Sequence, residues 1–435
     1  MIDQADVVVI GSGSLGSSVA FHLAKAGGRS VALVDKHDLC SQTSPRAAGL
    51  TKQVRRSALM TRLAMRAVKK IEKFEEETGE PLVYHQSGSL TIARLPEHEE
   101  QLRLEVERAQ PFKLGVELIS PAEAKHMMPF LETKGIRAVT YSPTDLYLEP
   151  IQIPLGYARA AERLGAVMLP NTMVTGIAVG NGEVDRVITD KGDIRTSVVV
   201  DAAGAWARLV GGLAGARVPM VATRHQLFIT DAIGGVAASQ PIARIVDANV
   251  YVRPDKGGLM LGGYEPDPLQ LDMRGLPPGF QIADLQLDIE VLRRLAESVF
   301  EQFPIFRGAR VREHRGGLPT MTADGEHVVG SVPGVRGLFV AGGCCVGGLS
   351  IAPAVGELLA EWICNGKPPL DLAPLAPGRF GSKYGSEAEL REACRLQYAH
   401  HYWETPRREG RPGPRGTDVR EAGDGQRSGV GGRRR

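Results

Sequence analysis

The chain has 435 residues, 43% of them hydrophobic, and a formal net charge of +2 at pH 7, enough length for a large core and two domains and too little charge to point to nucleic acid. No apolar run approaches the roughly 18 residues needed to cross a bilayer, and no charged-then-apolar leader precedes the first motif. Five cysteines without a C-x-x-C pair give neither a disulfide framework nor a zinc site, so the expectation is a soluble, metal-free protein of a reducing compartment, the cytoplasm in preference to the mitochondrial matrix.

The chain opens with "DVVVIGSGSLGSSVAFHLAKAGGRSVALVD", residues 6–35. An apolar β-branched run suits a strand buried on both faces, and Gly11, Gly13 and Gly16 follow at G-x-G-x-x-G spacing. Gly11 permits the tight turn, Gly13 lets backbone approach a pyrophosphate, and Gly16 lets helix and strand pack closely. The helix N-terminus offers free N–H groups and a partial positive charge to phosphates. Asp35 ends the second strand, where a carboxylate accepts hydrogen bonds from a ribose diol and repels a 2′-phosphate. The pattern predicts a bound dinucleotide other than NADP, and leaves NAD against FAD open.

Residues 57–78 have helical periodicity, and 83–94 read as a hairpin. Helix, strand and a helix capped at Ser120-Pro121 follow, then a helix and strands up to about residue 180. "VDRVITDKGDIRTSVVVDAAGAWA" predicts a hairpin with a Lys-Gly turn, then a buried strand running into a turn of small residues, Ala203 and Gly204, before Trp206. A β-rich block from about 217 to 265 places His225 on an alternating strand, and 283–303 reads as an amphipathic helix.

A second strand–glycine–helix unit lies at "GLFVAGGCCVGGLSIAPAVGELLAEWI", with a turn at Gly342-Gly343 and a helix from about Ser350 to Cys364. An NAD dehydrogenase has no use for such a unit. A flavoprotein does, because two-electron reduction puts negative charge at the flavin N1–C2=O edge, where a helix N-terminus stabilises it. The plain alternative for each unit is a tight turn without a ligand; together they predict FAD that stays bound.

The order "VVVIGSGSLGSSVA", "VVVDAAGAWA", "LMLGGYE", "GGLPTMTADGEHVVG" and "GLFVAGGCCVGGLSIAPAVGELLAEWICNGKPPLDL" resembles the D-amino-acid-oxidase-like flavoproteins, in particular their dimethylglycine and sarcosine dehydrogenase or oxidase branch, over about residues 5–402. The resemblance implies an α/β Rossmann-like FAD domain (residues 1–82, 150–216 and 325–380) interleaved with an α+β, antiparallel-sheet substrate domain (83–149 and 217–324). It implies FAD contacts at Lys36, Ser44, Arg46, Ala47, Gly49, Leu50, Val174, Ala203, Gly204, Trp206, Gly342, Gly343, Gly347, Gly348, Leu349 and Ser350. It also implies oxidation of a secondary or tertiary amine, commonly an N-methyl amino acid, through an iminium that water hydrolyses. The acceptor of the electrons would be oxygen or an electron-transfer flavoprotein.

By the same resemblance His225 and Tyr251 face the substrate over the flavin, with Tyr264 beside them. His225, titrating near working pH, would hold the amine neutral or take its proton; the alternative is a His and a Tyr satisfied within a sheet. Arg253 is a weaker candidate for anchoring a substrate carboxylate, since strand arginines usually face solvent. The branch often carries a flavin-linked His before "AAGL", where this chain has Arg46, and monomeric sarcosine oxidases carry a linking Cys near Gly317. Non-covalent FAD is therefore expected.

Branch members continue past "YAHHY" into a folate-binding half, whereas this chain turns at 406–435 into an Arg/Gly-rich segment expected to be disordered. A shifted or truncated frame is one reading of that change. It would leave 381–405 as an extension whose Leu396, Tyr398, Tyr402 and Trp403 have lost a partner surface, with no folate coupling. Two other readings are a D-amino-acid or cyclic-imino-acid oxidoreductase and an inactive FAD-binding product.

Overall fold

The computed structural model describes residues 2–403. Valine-rich runs, wholly buried in the two strands Val7–Ile10 and Val31–Val34, build a six-stranded sheet in the order Val328–Ser331, Leu338–Gly342, Val198–Asp201, Val7–Ile10, Val31–Val34 and Val167–Leu169. All neighbours are parallel except the first pair; one face is covered by helices, and the other by the three-stranded sheet of Val174–Gly180, Glu183–Thr189 and Gly192–Arg195 with helix Ala207–Leu213. Helix Ser14–Ala26 follows Val7–Ile10, and helix Gly348–Asn365 follows Leu338–Gly342. Because both strands run parallel to Val198–Asp201, both strand-to-helix turns open at the same carboxyl edge of the sheet. The two helices touch closely: a Cβ at Gly356 would stand 2.6 Å from the Ser18 carbonyl carbon.

The second large sheet has eight strands, ordered Val311–Gly317, His225–Thr230, Gly258–Gly263, Val250–Asp255, Ile242–Ile245, Ser89–Ala93, Ala138–Ser142 and Glu117–Ile119. It is antiparallel apart from the parallel pair Ile242–Ile245 and Ser89–Ala93. One apolar layer packs it against helix Ile289–Glu297 and Phe303. Another carries Leu227, Tyr251 and Tyr264 against Leu390, Cys394 and Tyr398 of the terminal helix Glu387–Ala399. His225–Thr230 is thus buried on both faces and does not alternate.

Several local expectations hold, including the Ser120–Glu123 capping box and the hairpin Glu183–Thr189 with Gly192–Arg195. Others do not. Residues 83–94 are no hairpin: Tyr84-His85 pairs with Tyr147-Leu148, while Ser89–Ala93 joins the eight-stranded sheet. The helix expected over 57–78 breaks at Lys73 into Ala58–Glu72 and Phe74–Thr78. The amphipathic helix expected over 283–303 is regular only over Ile289–Glu297, started by the Asp288 side chain. Residues 406–435 lie outside the described residues. Among the described residues no helix is long and apolar enough to cross a membrane.

Candidate active site

At the carboxyl edge of the parallel sheet the first glycine loop is locked by contact. Gly11 has φ +102°, and a Cβ there would stand 2.5 Å from the Ala202 carbonyl oxygen; a Cβ at Gly16 would collide with the Gly11 carbonyl. Ser12 donates its N–H and its hydroxyl to Asp35 Oδ2, at 2.8 and 2.6 Å, and the His37 N–H reaches Oδ1 at 2.9 Å. At the helix tip Ser14 N–H donates to Ser44 Oγ at 2.9 Å, and a Cβ at Gly13 would meet the same hydroxyl at 3.2 Å. The Lys36 ammonium lies 4.2 Å over the Trp206 ring, beside His37. Thr172 N–H donates to the Asp35 carbonyl, which sets Val174 next to the same edge, and Ala203 N–H donates to Asp201. These residues thus gather at the crevice on the carboxyl edge of the parallel sheet.

The second glycine turn reaches that crevice from the other side. Gly343 has φ +58°, and a Cβ there would stand 2.7 Å from Thr322 Cγ2. Cys345 and Val346 follow at φ 43° and 64°, a left-handed conformation costly for a β-branched residue. The helix then starts at Gly348 with no side-chain cap, Gly347 and Leu349 flanking it and Ser350 Oγ turned back onto the Gly347 carbonyl at 3.0 Å. Two residues that sequence reasoning missed stand here. Arg55 reaches Ser350 Oγ at 3.5 Å, and His327 lies against Gly347. Arg55 Nε and both ring nitrogens of His327 are buried without hydrogen-bond partners. Burial pushes His327 down to about 3 and holds it neutral.

These residues fit FAD. Unpaired buried donors and an uncapped helix tip suit the electron-rich edge of a flavin, and the Asp35-bound glycine loop suits the rest of the dinucleotide. Gly49 (φ +70°) and Leu50, which bridges to Tyr147, hold the loop containing Ala47 beside the crevice. Arg46 Nη1 donates to the Ser41 and Gln42 carbonyls of its own loop.

Beyond this cradle the eight-stranded sheet and the terminal helix enclose an aromatic cluster. His225 Nε2 lies 3.0 Å from the Tyr251 hydroxyl, and Nδ1 lies 2.8 Å from the Tyr398 hydroxyl. Tyr264 packs against His225, with ring centroids 4.9 Å apart, and stacks on His401 at 4.0 Å. Tyr402 packs edge-on to Tyr264. His225, Tyr251 and Tyr264 therefore meet as expected. The expectation that His225 titrates near working pH is overturned, because burial pushes it down to about 3 and both nitrogens are engaged. Tyr398 and Tyr402 have not lost their surroundings; they wall this cluster. Trp403 donates its indole N–H to the Val246 carbonyl at 3.0 Å, and only Leu396 is exposed without such a contact.

Arg253 does not face solvent and is not free to anchor a carboxylate. It is buried, donates to the Ala48 and Pro254 carbonyls and pairs with Asp255 at 3.1 Å. Two other arginines lie by this cluster: buried Arg244 donates through Nη2 to the Thr51 carbonyl at 2.6 Å, with Nη1 making no hydrogen bond and 3.8 Å from Asp145, and Arg55 has its buried Nε unbonded. Burial depresses the basicity of His401, and both arginines lie near enough to add to it. No local pattern marks them, since one sits in a loop and one in the short apolar strand Ile242–Ile245.

Comparison with known proteins agrees with this geometry. Residues 6–362 match the family model described as FAD dependent oxidoreductase. The chain is 31% identical to human mitochondrial dimethylglycine dehydrogenase, over 94% of this chain and 48% of that protein. It is 32% identical to human mitochondrial sarcosine dehydrogenase, over 92% and 44%. The chain thus spans about half the length of the curated relatives it matches. Among solved structures, L-proline dehydrogenase from P. horikoshii superposes with a TM-score of 0.78 at 28% identity, covering 87% of this chain and 98% of that one. With two glycine turns opening on one crevice, and a match across most of its length, the chain belongs to the DAO family of FAD dependent oxidoreductases.

Proposed function

We propose that the chain oxidises the C–N bond of a secondary or tertiary amine bearing a carboxylate, an N-methyl amino acid such as sarcosine or dimethylglycine. The observation that carries this reading is the pair of incompletely neutralised buried arginines, Arg55 and Arg244, beside the neutral Tyr251–His225–Tyr398 chain. Buried cations without full partners favour an anionic ligand group. The dry aromatic wall of Tyr264, His401 and Tyr402 favours a substrate amine in its neutral form, whose lone pair the oxidation requires. FAD, when bound, accepts the hydride from the carbon beside that nitrogen. Tyr251 orients the amine end through its hydroxyl, and the arginines hold the other end. The resulting iminium takes up water and releases formaldehyde and the demethylated amine.

The division into an FAD part (1–82, 150–216, 325–380) and a substrate part (83–149, 217–324) is supported by the sheets: every strand of the six-stranded sheet comes from the first set, and every strand of the eight-stranded sheet from the second. A cyclic imino acid is the second reading, favoured by the likeness to L-proline dehydrogenase. Anaerobic bleaching of the flavin by sarcosine, dimethylglycine, proline and D-alanine tests both. The main reading expects the first two to bleach fastest; bleaching by proline or D-alanine alone rejects it, and bleaching by none leaves an inactive FAD protein. Peroxide formation on reoxidation distinguishes oxygen from an electron-transfer flavoprotein as acceptor.

A further inference from the structure

Tyr398 is buried, and among the described residues the one hydrogen-bond partner of its hydroxyl is His225 Nδ1, at 2.8 Å. Glu265 acts on Tyr398 only through space. A buried O–H without an acceptor costs more than an unused lone pair, so the Tyr398 proton points at Nδ1. The imidazole is neutral and has a single N–H, which then sits on Nε2 and donates to the Tyr251 oxygen at 3.0 Å. The Tyr251 proton then turns away from His225, and its acceptor is the substrate of the proposed reaction. In the reverse arrangement Nδ1–H would donate to Tyr398, leave the Tyr398 proton without an acceptor and tie the Tyr251 proton to Nε2.

We propose that Tyr398 is a positioning residue that fixes His225 as the Nε2–H tautomer and thereby makes Tyr251 a hydrogen-bond donor toward the substrate. The terminal helix thus acts on a reaction it does not touch. Successive donation along Tyr398, His225 and Tyr251 polarises the last hydroxyl in the direction the substrate nitrogen or carboxylate uses. The choice of tautomer rests on the amine-oxidation reading, because among the described residues the Tyr251 hydroxyl has no partner but His225 either, and the substrate supplies the acceptor for its proton.

The test uses holoenzyme labelled with 15N-histidine, with His225 assigned by the loss of its signals in His225→Gln. Long-range 1H–15N spectra should show Nε2 protonated and Nδ1 unprotonated but hydrogen-bonded. In Tyr398→Phe the Nδ1 signal should move toward that of a free imine nitrogen. Kinetically, Tyr398→Phe should lower kcat/KM roughly fivefold, the factor matching about 1 kcal/mol for one neutral hydrogen bond, and should have almost no further effect in a Tyr251→Phe background. A protonated Nδ1 in the wild-type protein overturns the proposal, and so does an equal loss from Tyr398→Phe in both backgrounds. The wild-type spectrum needs no turnover assay, and the bleaching screen tests the substrate reading separately.

Discussion

Tyr251 and Gly262 face each other across adjacent strands, and the tyrosine ring lies flat over the glycine: a Cβ at 262 would stand 2.9 Å from Cε2 and nearer still to Cζ and the hydroxyl. The missing side chain is what lets the Tyr251 hydroxyl reach His225. Gly262→Ala must push the ring aside, since both strands are locked between neighbours on either side. Overpacking of this kind costs about 1–3 kcal/mol, which a sheet of eight strands survives. We expect a folded, yellow Gly262→Ala protein whose kcat/KM is at least about tenfold lower, one misplaced hydrogen bond at the reacting centre corresponding to about 1.4 kcal/mol. Unchanged kinetics would mean that the Tyr251 hydroxyl does not act on the substrate.

Stability should peak near neutral pH and fall on the acid side. His22, His225 and His327 are pushed by burial to about 4, 3 and 3 from a free value of 6.5. Between pH 6.5 and 4 the unfolded chain therefore binds three protons that the folded chain does not, and stability drops as pH falls. Asp201 opposes this: burial raises it to about 8, so the folded chain keeps a proton that the unfolded chain releases above pH 3.8. His401 and, less buried, His37, His98 and His314 are pushed the same way, while burial raises Asp145, Glu265 and Glu326 along with Asp201; the histidines outnumber these acids and leave a net proton uptake on unfolding near pH 5. Above pH 6.5 the histidines are neutral in both states, and Asp201, raised to about 8, makes stability decline toward pH 8. Urea unfolding of the holoenzyme at fixed FAD concentration, at pH 5, 6.5 and 8, checks the sign. A flat profile from 6.5 to 5 contradicts it.

The flavin should leave with acid. Arg46 carries a guanidinium, which forms no bond to a flavin ring, and its Nη1 is held by the Ser41 and Gln42 carbonyls. Gly317 offers no thiol and has no room for one, since a Cβ there would stand 2.8 Å from Thr43 Cγ2. Acid precipitation of the holoenzyme should give a white pellet under a yellow supernatant. A pellet that keeps its colour requires another attachment residue.

The parts of the site that were legible in the sequence are those whose chemistry is local. Gly11, Gly13, Gly16 and Asp35 lie within one strand–helix–strand unit, and Gly342 and Gly343 within another, so their spacing reports their geometry. That both units open on one crevice follows from parallel pairing with Val198–Asp201, which no local window contains. His225 and Tyr251 were found through family resemblance alone, because a His and a Tyr on buried strands look like core. Tyr398 and Tyr402 were misread as an orphaned surface: their partners, His225 and Tyr264, lie more than a hundred residues away. The false hairpin at 83–94 has the same cause. Alternation marks Ser89–Ala93 as a strand, and only the tertiary fold gives it Ala138–Ser142 as a neighbour in place of Tyr84-His85.

Asp255 couples the stability of the eight-stranded sheet to the cofactor crevice. It is buried, with Arg253 at 3.1 Å, Arg312 at 3.3 Å and Arg315 at 3.9 Å around its carboxylate. One negative charge holds three guanidinium groups together, and no other acid is paired with Arg253 among the described residues. Asp255→Asn keeps the shape and removes the charge, leaving a buried cation uncompensated. Breaking a buried pair from one side costs about 3–5 kcal/mol. Arg253 also donates to the Ala48 carbonyl at 2.8 Å, in the loop that borders the crevice. The loss should therefore appear twice: a lower urea midpoint for the apoprotein, and a further weakening of FAD binding, read by fluorescence recovery on dilution, as the 47–50 loop loses its tether. Asp255→Glu should restore part of both. A variant that loses stability but binds FAD with wild-type affinity would show that the Arg253–Ala48 bond does not support the crevice.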